Sequence, residues 1–284
     1  MRFSEDRIEK LTCSDGIQRD IHIWEPKKAR AVFLTVHGGM DHGGNYMNPA
    51  LYLKEKGFAL VAHDQHGHDK KRKVYIPRFE VFLDDLELML EWVKRNYPEL
   101  PIFILSHSMG GLITMHFGIR RFTGDPLVRG FVSSSPYYVN AVLTPKIVEK
   151  LAGVLSALFP KMTVPIEDIL VHCTHDEDIY KRYREDEKDG IMASKASARF
   201  ASELLKAQAW IPDHISEWNH PMLVLVAGDD KVADANGTKA LLKKVNPEYL
   251  TEIWYPENYH ENFNEINRDE ISDRIVEWCE PRIK

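Results

Sequence analysis

A serine flanked by small residues interrupts an apolar stretch near the middle of the chain. The apolar residues 102–105 lead into S-H-S-M-G-G at 106–111, and apolar residues resume beyond it. A strand that turns sharply into a helix at such a serine exposes the hydroxyl above the sheet, and small neighbours let the strand and helix pack closely. Ser108 is therefore the predicted nucleophile. Ser106 is the weaker alternative because it stands at the strand end, and a helix N-cap role for Ser108 would leave the two glycines unexplained.

A neutral hydroxyl is a poor nucleophile, so a base and a carboxylate that orients the base must accompany it. His260 is the only histidine after Pro221, and it stands in a loop between an apolar run and the last helical pattern. Asp229 and Asp230 both follow the apolar run 222–227, and the residues alone leave either as the orienting acid. Serine, aspartate and histidine in this order predict acyl transfer through a covalent serine intermediate.

Two glycines end an earlier apolar run, at residues 31–39. Acyl transfer places a negative charge on an oxygen atom, and preorganised backbone N–H groups stabilise that charge. We assign these N–H groups to Gly39 and to Met109, the residue after the predicted nucleophile. A phosphate-binding loop would instead require G-K-S/T or G-x-G-x-x-G, and neither pattern occurs at these glycines.

Histidines and aspartates crowd the segment 63–69. His63, His66 and His68 lie beside Asp64 and Asp69, but their spacing matches neither H-x-H-x-D-H nor H-E-x-x-H. The segment follows a strand-like run, so we expect its side chains to brace the site through hydrogen bonds, and we expect neither a metal nor a cofactor. The adjoining basic run 70–73 is expected to be a solvated loop, with contact to an anionic membrane surface as the alternative.

Composition limits the partners and the location of the protein. The chain has 284 residues and a formal net charge of −6, so it lacks the basic field that nucleic-acid binding needs. It opens with charged residues, and no apolar run approaches the roughly 20 residues that cross a bilayer. Cys13, Cys173 and Cys279 lie far apart and form no C-x-x-C pair. We therefore expect a soluble cytoplasmic protein without structural zinc, and the sequence does not indicate its oligomeric state.

Strand-like and helical patterns alternate along most of the chain. Short apolar runs predict strands at 17–25, 31–37, 58–64, 102–106, 130–134, 222–227 and 250–255. Apolar residues from Phe79 to Val93 recur at helical spacing, and this helix should end before Pro98. The alternation predicts an α/β architecture with a mostly parallel sheet between helices.

One long segment breaks the alternation. Between about residues 136 and 220 no strand pattern is visible, and helical periodicity dominates. A structureless loop of this length is uncommon in a compact domain. We therefore predict an α/β core at 1–135 and 221–284, interrupted by a helical insertion at 136–220 that we call the cap.

The motifs together resemble the monoacylglycerol lipase and lysophospholipase branch of the α/β-hydrolase fold. The resemblance covers nearly the whole chain and rests on H-G-G at 37–39, Asp64 with G-H at 67–68, H-S-M-G-G at 107–111, Gly228 with Asp230, and Y-H-E at 259–261 with N-E at 264–265. In that branch the acid follows a glycine after the penultimate strand and precedes a short apolar pair, which implies Asp230 rather than Asp229. The chain departs from the family pattern at Met40, Asp41, Asp69 and Ser106.

The resemblance implies a serine esterase with Ser108, His260 and Asp230 as its catalytic triad. The implied substrate is a single-chain lipid ester, above all a monoacylglycerol. Lysophospholipid hydrolysis, peptide hydrolysis by an aminopeptidase-like member, acyl transfer to an acceptor other than water, and a non-enzymatic receptor role are the alternatives.

Two groups of residues are the expected substrate contacts. Met40, Asp41 and Asn45 would border the alcohol side of the pocket. The cap helix that carries Leu151, Leu155 and Leu158 would line an acyl tunnel and touch membranes transiently, while packing onto the core would explain the same apolar stripe.

Overall fold

The computed structural model describes residues 2–68, 73–141, 146–164 and 168–283, without the side chains of residues 146–151. The described residues form two sheets. The larger sheet contains β1 Arg7–Thr12, β2 Gln18–Trp24, β3 Ala31–Val36, β4 Phe58–His63, β6 Ile102–His107, β7 Val128–Ser134, β10 Met222–Ala227 and β11 Leu250–Tyr255, and the smaller contains β5 Lys73–Val74, β8 Thr163–Val164 and β9 Lys195–Ser197.

The larger sheet has the strand order β1-β2-β4-β3-β6-β7-β10-β11. Only the β1/β2 and β2/β4 pairs are antiparallel within it. All seven strands predicted from apolar runs are present, with ends within two residues of the prediction. The predicted α/β architecture is confirmed. Strand β1 was not predicted, because its exposed and half-exposed residues give no continuous apolar run.

Eight helices accompany the strands in the described residues. They are α1 Met47–Glu55, α2 Glu80–Asn96, α3 Met109–Arg120, α4 Lys146–Leu158, α5 Glu177–Lys188, α6 Ala198–His214, α7 Ala235–Leu242 and α8 Arg268–Cys279. Helix α2 ends before Pro98, as its periodicity predicts. None of the helices in the described ranges combines the length and apolar content that a bilayer crossing requires.

Alternate side chains of the central strands enter two separate apolar layers. On β3, Val32 and Leu34 pack with apolar residues of α2 and α3, whereas Phe33 packs with those of α1 and α8. Burial of both faces explains why these strands are continuously apolar. The carboxyl ends of the parallel strands therefore meet at one edge of a rigid sheet, where α/β folds place their sites.

The segment between β7 and β10 contains α4, α5 and α6, together with two short strands. The prediction that this segment has no strand was wrong. Strand β9 pairs with β8 in antiparallel fashion and with β5 of the preceding part of the chain in parallel fashion. Strands of two or three residues are too short to produce an alternating pattern in the sequence.

Candidate active site

Ser108 lies in the sharp turn between β6 and α3. Its backbone has φ 52° and ψ −118°, a conformation that non-glycine residues rarely adopt. The surrounding structure holds the turn: the Ser108 N–H donates to Ser134 O on β7 at 3.0 Å, and Ser108 O accepts from Tyr137 N at 3.0 Å. Strain fixed in this way is typical of a nucleophile elbow.

The two glycines after Ser108 allow α3 to approach the sheet. A Cβ atom on Gly110 would collide with the carbonyl oxygen of Val36 on β3, and one on Gly111 would meet Ser133 Oγ at 2.6 Å. Ser106, which replaces the first glycine of the motif, is accommodated because its hydroxyl donates to Val132 O at 3.2 Å. The acceptor of this hydrogen bond lies on the adjacent strand β7.

The structure brings Ser108, His260 and Asp230 together in one hydrogen-bonded chain. His260 Nε2 lies 2.8 Å from Ser108 Oγ, and His260 Nδ1 lies 2.7 Å from Asp230 Oδ2. The other oxygen of Asp230 accepts from Val232 N at 2.8 Å and from Ala233 N at 2.9 Å. With Nδ1–H donating to Asp230, Nε2 is free to accept the serine proton.

Asp229 and Asp230 have different surroundings although they are adjacent. The side chain of Asp230 is 2% exposed and faces His260, whereas that of Asp229 is 44% exposed and pairs with Lys231. Gly228 makes this geometry possible, because a Cβ there would meet Pro256 Cα at 2.6 Å. The geometry thus places Asp230, and not Asp229, next to His260. The residues alone gave no reason to prefer either aspartate.

The N–H groups of Gly39 and Met109 lie on neighbouring segments beside Ser108. A Cβ on Gly39 would stand 3.6 Å from Met109 Sδ and 3.8 Å from Met109 Cβ. Neither N–H donates to any group in the described residues. Two free backbone donors on these neighbouring segments are what an oxyanion hole needs, and the assignment of Gly39 and Met109 to it stays a prediction.

Two buried histidines hold the loop that carries Gly39. His37 Nδ1 donates to Gly38 O at 2.8 Å, and His37 Nε2 accepts from Gln65 N at 2.9 Å. Burial, together with the adjacent His68 ring, holds the pKa of His37 well below its usual range. His68 Nε2 in turn accepts from Met40 N at 3.1 Å. His68 of the 63–69 segment therefore braces the loop, as expected from the sequence, whereas His66 faces Asp15 and Asp85, and Asp69 lies outside the described residues.

The chain is similar to known proteins over most of its length. The Hydrolase_4 family model, described as serine aminopeptidase, S33, matches residues 27–267. The chain belongs to this family. It is also 27% identical to the monoacylglycerol lipase of Mycolicibacterium smegmatis, over 93% of this chain and 93% of that protein. The resemblance drawn from the sequence motifs is confirmed.

Other similar proteins differ in length and in name. Phospholipase YtpA of Bacillus subtilis is 26% identical over 87% of this chain and 94% of its own length. An abhydrolase domain-containing protein of Dictyostelium discoideum is 26% identical over 98% of this chain, which spans only 29% of that protein. The crystal structure of Paleococcus ferrophilus monoacylglycerol lipase has the same fold, with a TM-score of 0.79 at 22% identity, covering 94% of this chain and 100% of that one.

A buried histidine–glutamate pair lies beside His260 in this Hydrolase_4 member. His107 Nε2 is 2.8 Å from Glu261 Oε1, and the His107 ring centroid is 4.7 Å from that of His260. Burial raises the pKa of Glu261, but the charge and hydrogen bond of His107, together with His260 and Asn264, lower it overall to about 2. Burial lowers the pKa of His107, but the neighbouring carboxylates, above all Glu261, together raise it overall. Sequence analysis gave Glu261 only as part of the family motif, and the role of His107 was missed because nothing in the sequence signals this pairing.

The residues expected on the alcohol side form a buried polar group. Asn45 Nδ2 donates to Asp41 Oδ2 at 3.0 Å, and Arg182 of the cap donates to Asn45 Oδ1 at 2.5 Å. Burial raises the pKa of Asp41, and the nearby Glu261 raises it further. The other oxygen, Asp41 Oδ1, is buried without a hydrogen-bond partner in the described residues. Met40 is half-buried, with φ 68°.

The three cap leucines do not share one environment. Leu155 is half-buried, Leu158 is 67% exposed, and the side chain of Leu151 lies outside the described residues. The expectation that Leu158 lines an enclosed tunnel was wrong. Helix α4 turns Ser156, which is 3% exposed, towards α6, where Arg199 donates to Ser156 O at 2.9 Å. Leu158 therefore faces outwards, on the same side of α4 as Val154, which lies four residues earlier and is 55% exposed.

Proposed function

We propose that this protein hydrolyses carboxylic esters of single-chain lipids, above all monoacylglycerols, through an acyl-enzyme on Ser108. The hydrogen-bonded chain from Asp230 through His260 to Ser108 carries the proposal. Similarity to a monoacylglycerol lipase over more than nine tenths of both chains supports the substrate class.

The reaction follows from the positions of these groups. Ser108 Oγ forms a bond to the ester carbonyl carbon while its proton passes to His260 Nε2, and Asp230 stabilises the resulting imidazolium. The Gly39 and Met109 N–H groups hold the oxyanion, each contributing roughly 2.7 to 4 kcal/mol in the transition state. The alcohol then leaves with the proton from His260. Water, deprotonated by the same histidine, attacks the acyl-enzyme and releases the fatty acid.

The buried polar group at Asp41 supports an alcohol with free hydroxyl groups. A buried oxygen without a partner costs free energy until a ligand supplies a hydrogen bond. Burial raises the pKa of Asp41 to about 6, so near neutral pH this carboxylate mostly accepts hydrogen bonds, whereas Arg182 Nε and Nη1 are buried donors without a partner in the described residues. A glycerol headgroup offers both kinds of hydroxyl contact.

The outer surface of the cap supports contact with a lipid surface. Val154, Leu158 and Phe159 are 55%, 67% and 59% exposed, and Met162 extends the same patch. Lys161 and Lys73 lie close by, since Lys73 Nζ donates to Lys161 O at 2.9 Å. Apolar side chains beside amines are suited to enter an interface that carries anionic headgroups. We propose that the cap meets its substrate there.

The proposed location is the cytoplasm. Cys13, Cys173 and Cys279 are all buried and unpaired. Burial raises the pKa of the Cys13 thiol to about 12, so it has little of the thiolate character that redox chemistry needs.

A substrate panel tests the function. Purified protein and Ser108→Ala are assayed with monoacylglycerols of increasing chain length, lysophosphatidylcholine, aminoacyl anilides and a short-chain ester. We expect monoacylglycerols to give the highest kcat/KM and Ser108→Ala to be inactive on every substrate. No hydrolysis of any ester by the wild type would refute the proposal.

Phospholipid-type substrates are a second candidate, because Phospholipase YtpA is a near full-length relative. Arg182 would then meet a phosphate group rather than a glycerol hydroxyl. A kcat/KM for lysophosphatidylcholine above that for the matching monoacylglycerol would favour this candidate. Preference for the anilides would instead point to a peptidase.

A further inference from the structure

The loop that carries His260 is attached to the cap as well as to the core. We call residues 259–268 the base loop and residues 172–176 the cap clamp. The N–H of His260 donates to His172 O at 3.4 Å, and the N–H of Glu261 donates to Cys173 O at 2.8 Å. The backbone of the general base therefore runs alongside the cap clamp.

Thr174 forms a hydrogen bond with the part of the base loop that follows His260. Its hydroxyl donates to Asn264 O at 2.8 Å and accepts from Asp176 N at 3.0 Å. Thr174 is 7% exposed, so water has little access to replace these bonds. A side chain without the hydroxyl would leave the buried carbonyl oxygen of Asn264 without this hydrogen bond, which is unfavourable away from water.

His175 fixes the residue immediately before the general base. Its ring stacks on Tyr259 with centroids 3.7 Å apart and planes at 26°. His175 Nδ1 donates to Glu265 Oε1 at 2.9 Å, and the same carboxylate oxygen accepts from Tyr259 N at 3.0 Å. One buried carboxylate thus joins the cap clamp to the backbone that leads into His260.

An ion pair completes the attachment. Arg268 Nη1 donates to Asp176 Oδ2 at 2.7 Å. Asp176 is also the N-cap of α5, where its Oδ1 accepts from Asp178 N at 3.0 Å. The end of the base loop is therefore tied to the first turn of a cap helix.

We propose that the cap clamp is a positioning element for the general base, with Thr174 and His175 as its positioning residues. The inference rests on the proposed function, because it takes His260 as the base. His260 must align one nitrogen with Asp230 and the other with Ser108, and a small displacement of its backbone misaligns both hydrogen bonds. Alignment errors of this kind lower the rate of the chemical step even when substrate binding is unchanged. The cap therefore controls the reactivity of the serine in addition to covering it.

The experiment uses a substrate too short to need the cap. Thr174→Val and His175→Ala are compared with the wild type for kcat and KM on p-nitrophenyl acetate, and for the rate of labelling by a fluorophosphonate. Both measurements are made well below the lowest midpoint of thermal unfolding. His175→Gln, which keeps a donor for Glu265, replaces His175→Ala should the latter fail to fold.

Two matched variants separate positioning from general disturbance of the cap. His214 at the end of α6 also stacks on an aromatic ring, Trp210, with centroids 3.9 Å apart, but has no contact with the base loop in the described residues. His214→Ala should keep kcat within about twofold. Thr174→Ser keeps the hydroxyl and should restore most of the activity that Thr174→Val loses.

We expect kcat and the labelling rate to fall at least about tenfold in Thr174→Val and His175→Ala, with KM nearly unchanged. Folded variants with a wild-type kcat, or with a change confined to KM, would overturn the inference. Failure of the proposed function gives a different result, since the wild type itself would then neither label nor hydrolyse the acetate.

Discussion

The core side and the cap side of the active site are built differently. Ser108 and His260 are 7% and 3% exposed, and strand ends with close backbone contacts set their positions. On α4 of the cap, by contrast, Val154 and Leu158 are 55% and 67% exposed. The difference indicates that the core fixes the geometry of the chemistry, whereas the outer cap faces the surroundings from which the substrate comes. The cap clamp is the exception. It is part of the cap in the sequence, but it contacts the loop that carries His260.

The largest effect should come from replacing Asp230, the aspartate that contacts His260. Asp230→Asn should lower kcat about 10⁴-fold, because an amide that donates to His260 Nδ1 stabilises the wrong imidazole tautomer. Asp229→Asn is the matched control, and steady-state kinetics on a short-chain ester should show less than about a twofold change. Equal losses in the two variants would mean that the roles assigned to these neighbours are wrong.

Glycine-to-alanine substitutions compare the packing of the two regions. Gly110→Ala in α3 should destabilise the protein by about 3 kcal/mol, because its Cβ collides with the Val36 carbonyl oxygen. Gly153→Ala in α4 meets no atom within 4 Å and should stabilise the helix by about 0.5–1 kcal/mol. Chemical denaturation measures both. A Gly110→Ala protein as stable as the wild type would show that α3 can move away from β3 without loss of stability.

The apolar patch on the cap should contribute to membrane binding and not to the chemical step. Replacing Leu158 and Phe159 together by serine should weaken binding to anionic phospholipid vesicles at least about tenfold, because each loses apolar surface that the interface would cover. Hydrolysis of a dissolved short-chain ester should stay within about twofold. Ile17→Ser, at a residue 44% exposed on the core, is the control. If the double variant sediments with the vesicles as well as the wild type does, the patch does not bind the membrane.

The smallest effect is expected at the departure from the elbow motif. Ser106→Gly removes the hydrogen bond to Val132 O, which contributes about 1 kcal/mol to stability, and should change kcat less than about threefold. Thermal unfolding and ester kinetics check the two halves of this expectation. A loss of activity comparable to that of Asp230→Asn would mean that Ser106 takes part in the reaction.

The sequence predicts features that depend on neighbouring residues and misses those that depend on distant contacts. The central strands and the elbow could be predicted because burial and the tight turn each leave a local pattern. Asp230 and Asp229 could not be separated by such a pattern, and only the family resemblance favoured Asp230. Thr174 contacts Asn264 across 90 residues of chain, and ordinary polar residues in an acidic stretch give no signal of such a contact. The exposure of Leu158 was not predicted, because helical spacing does not tell which face of α4 packs against α6.

The central claim is that Ser108 is the nucleophile activated by His260. Intact-protein and peptide mass spectrometry after fluorophosphonate treatment tests it most directly, with Ser108→Ala and Ser106→Ala as companions. We expect one adduct on the wild type, located on Ser108, the same adduct on Ser106→Ala, and none on Ser108→Ala. An adduct that persists in Ser108→Ala, or that is located on Ser106, would contradict the account.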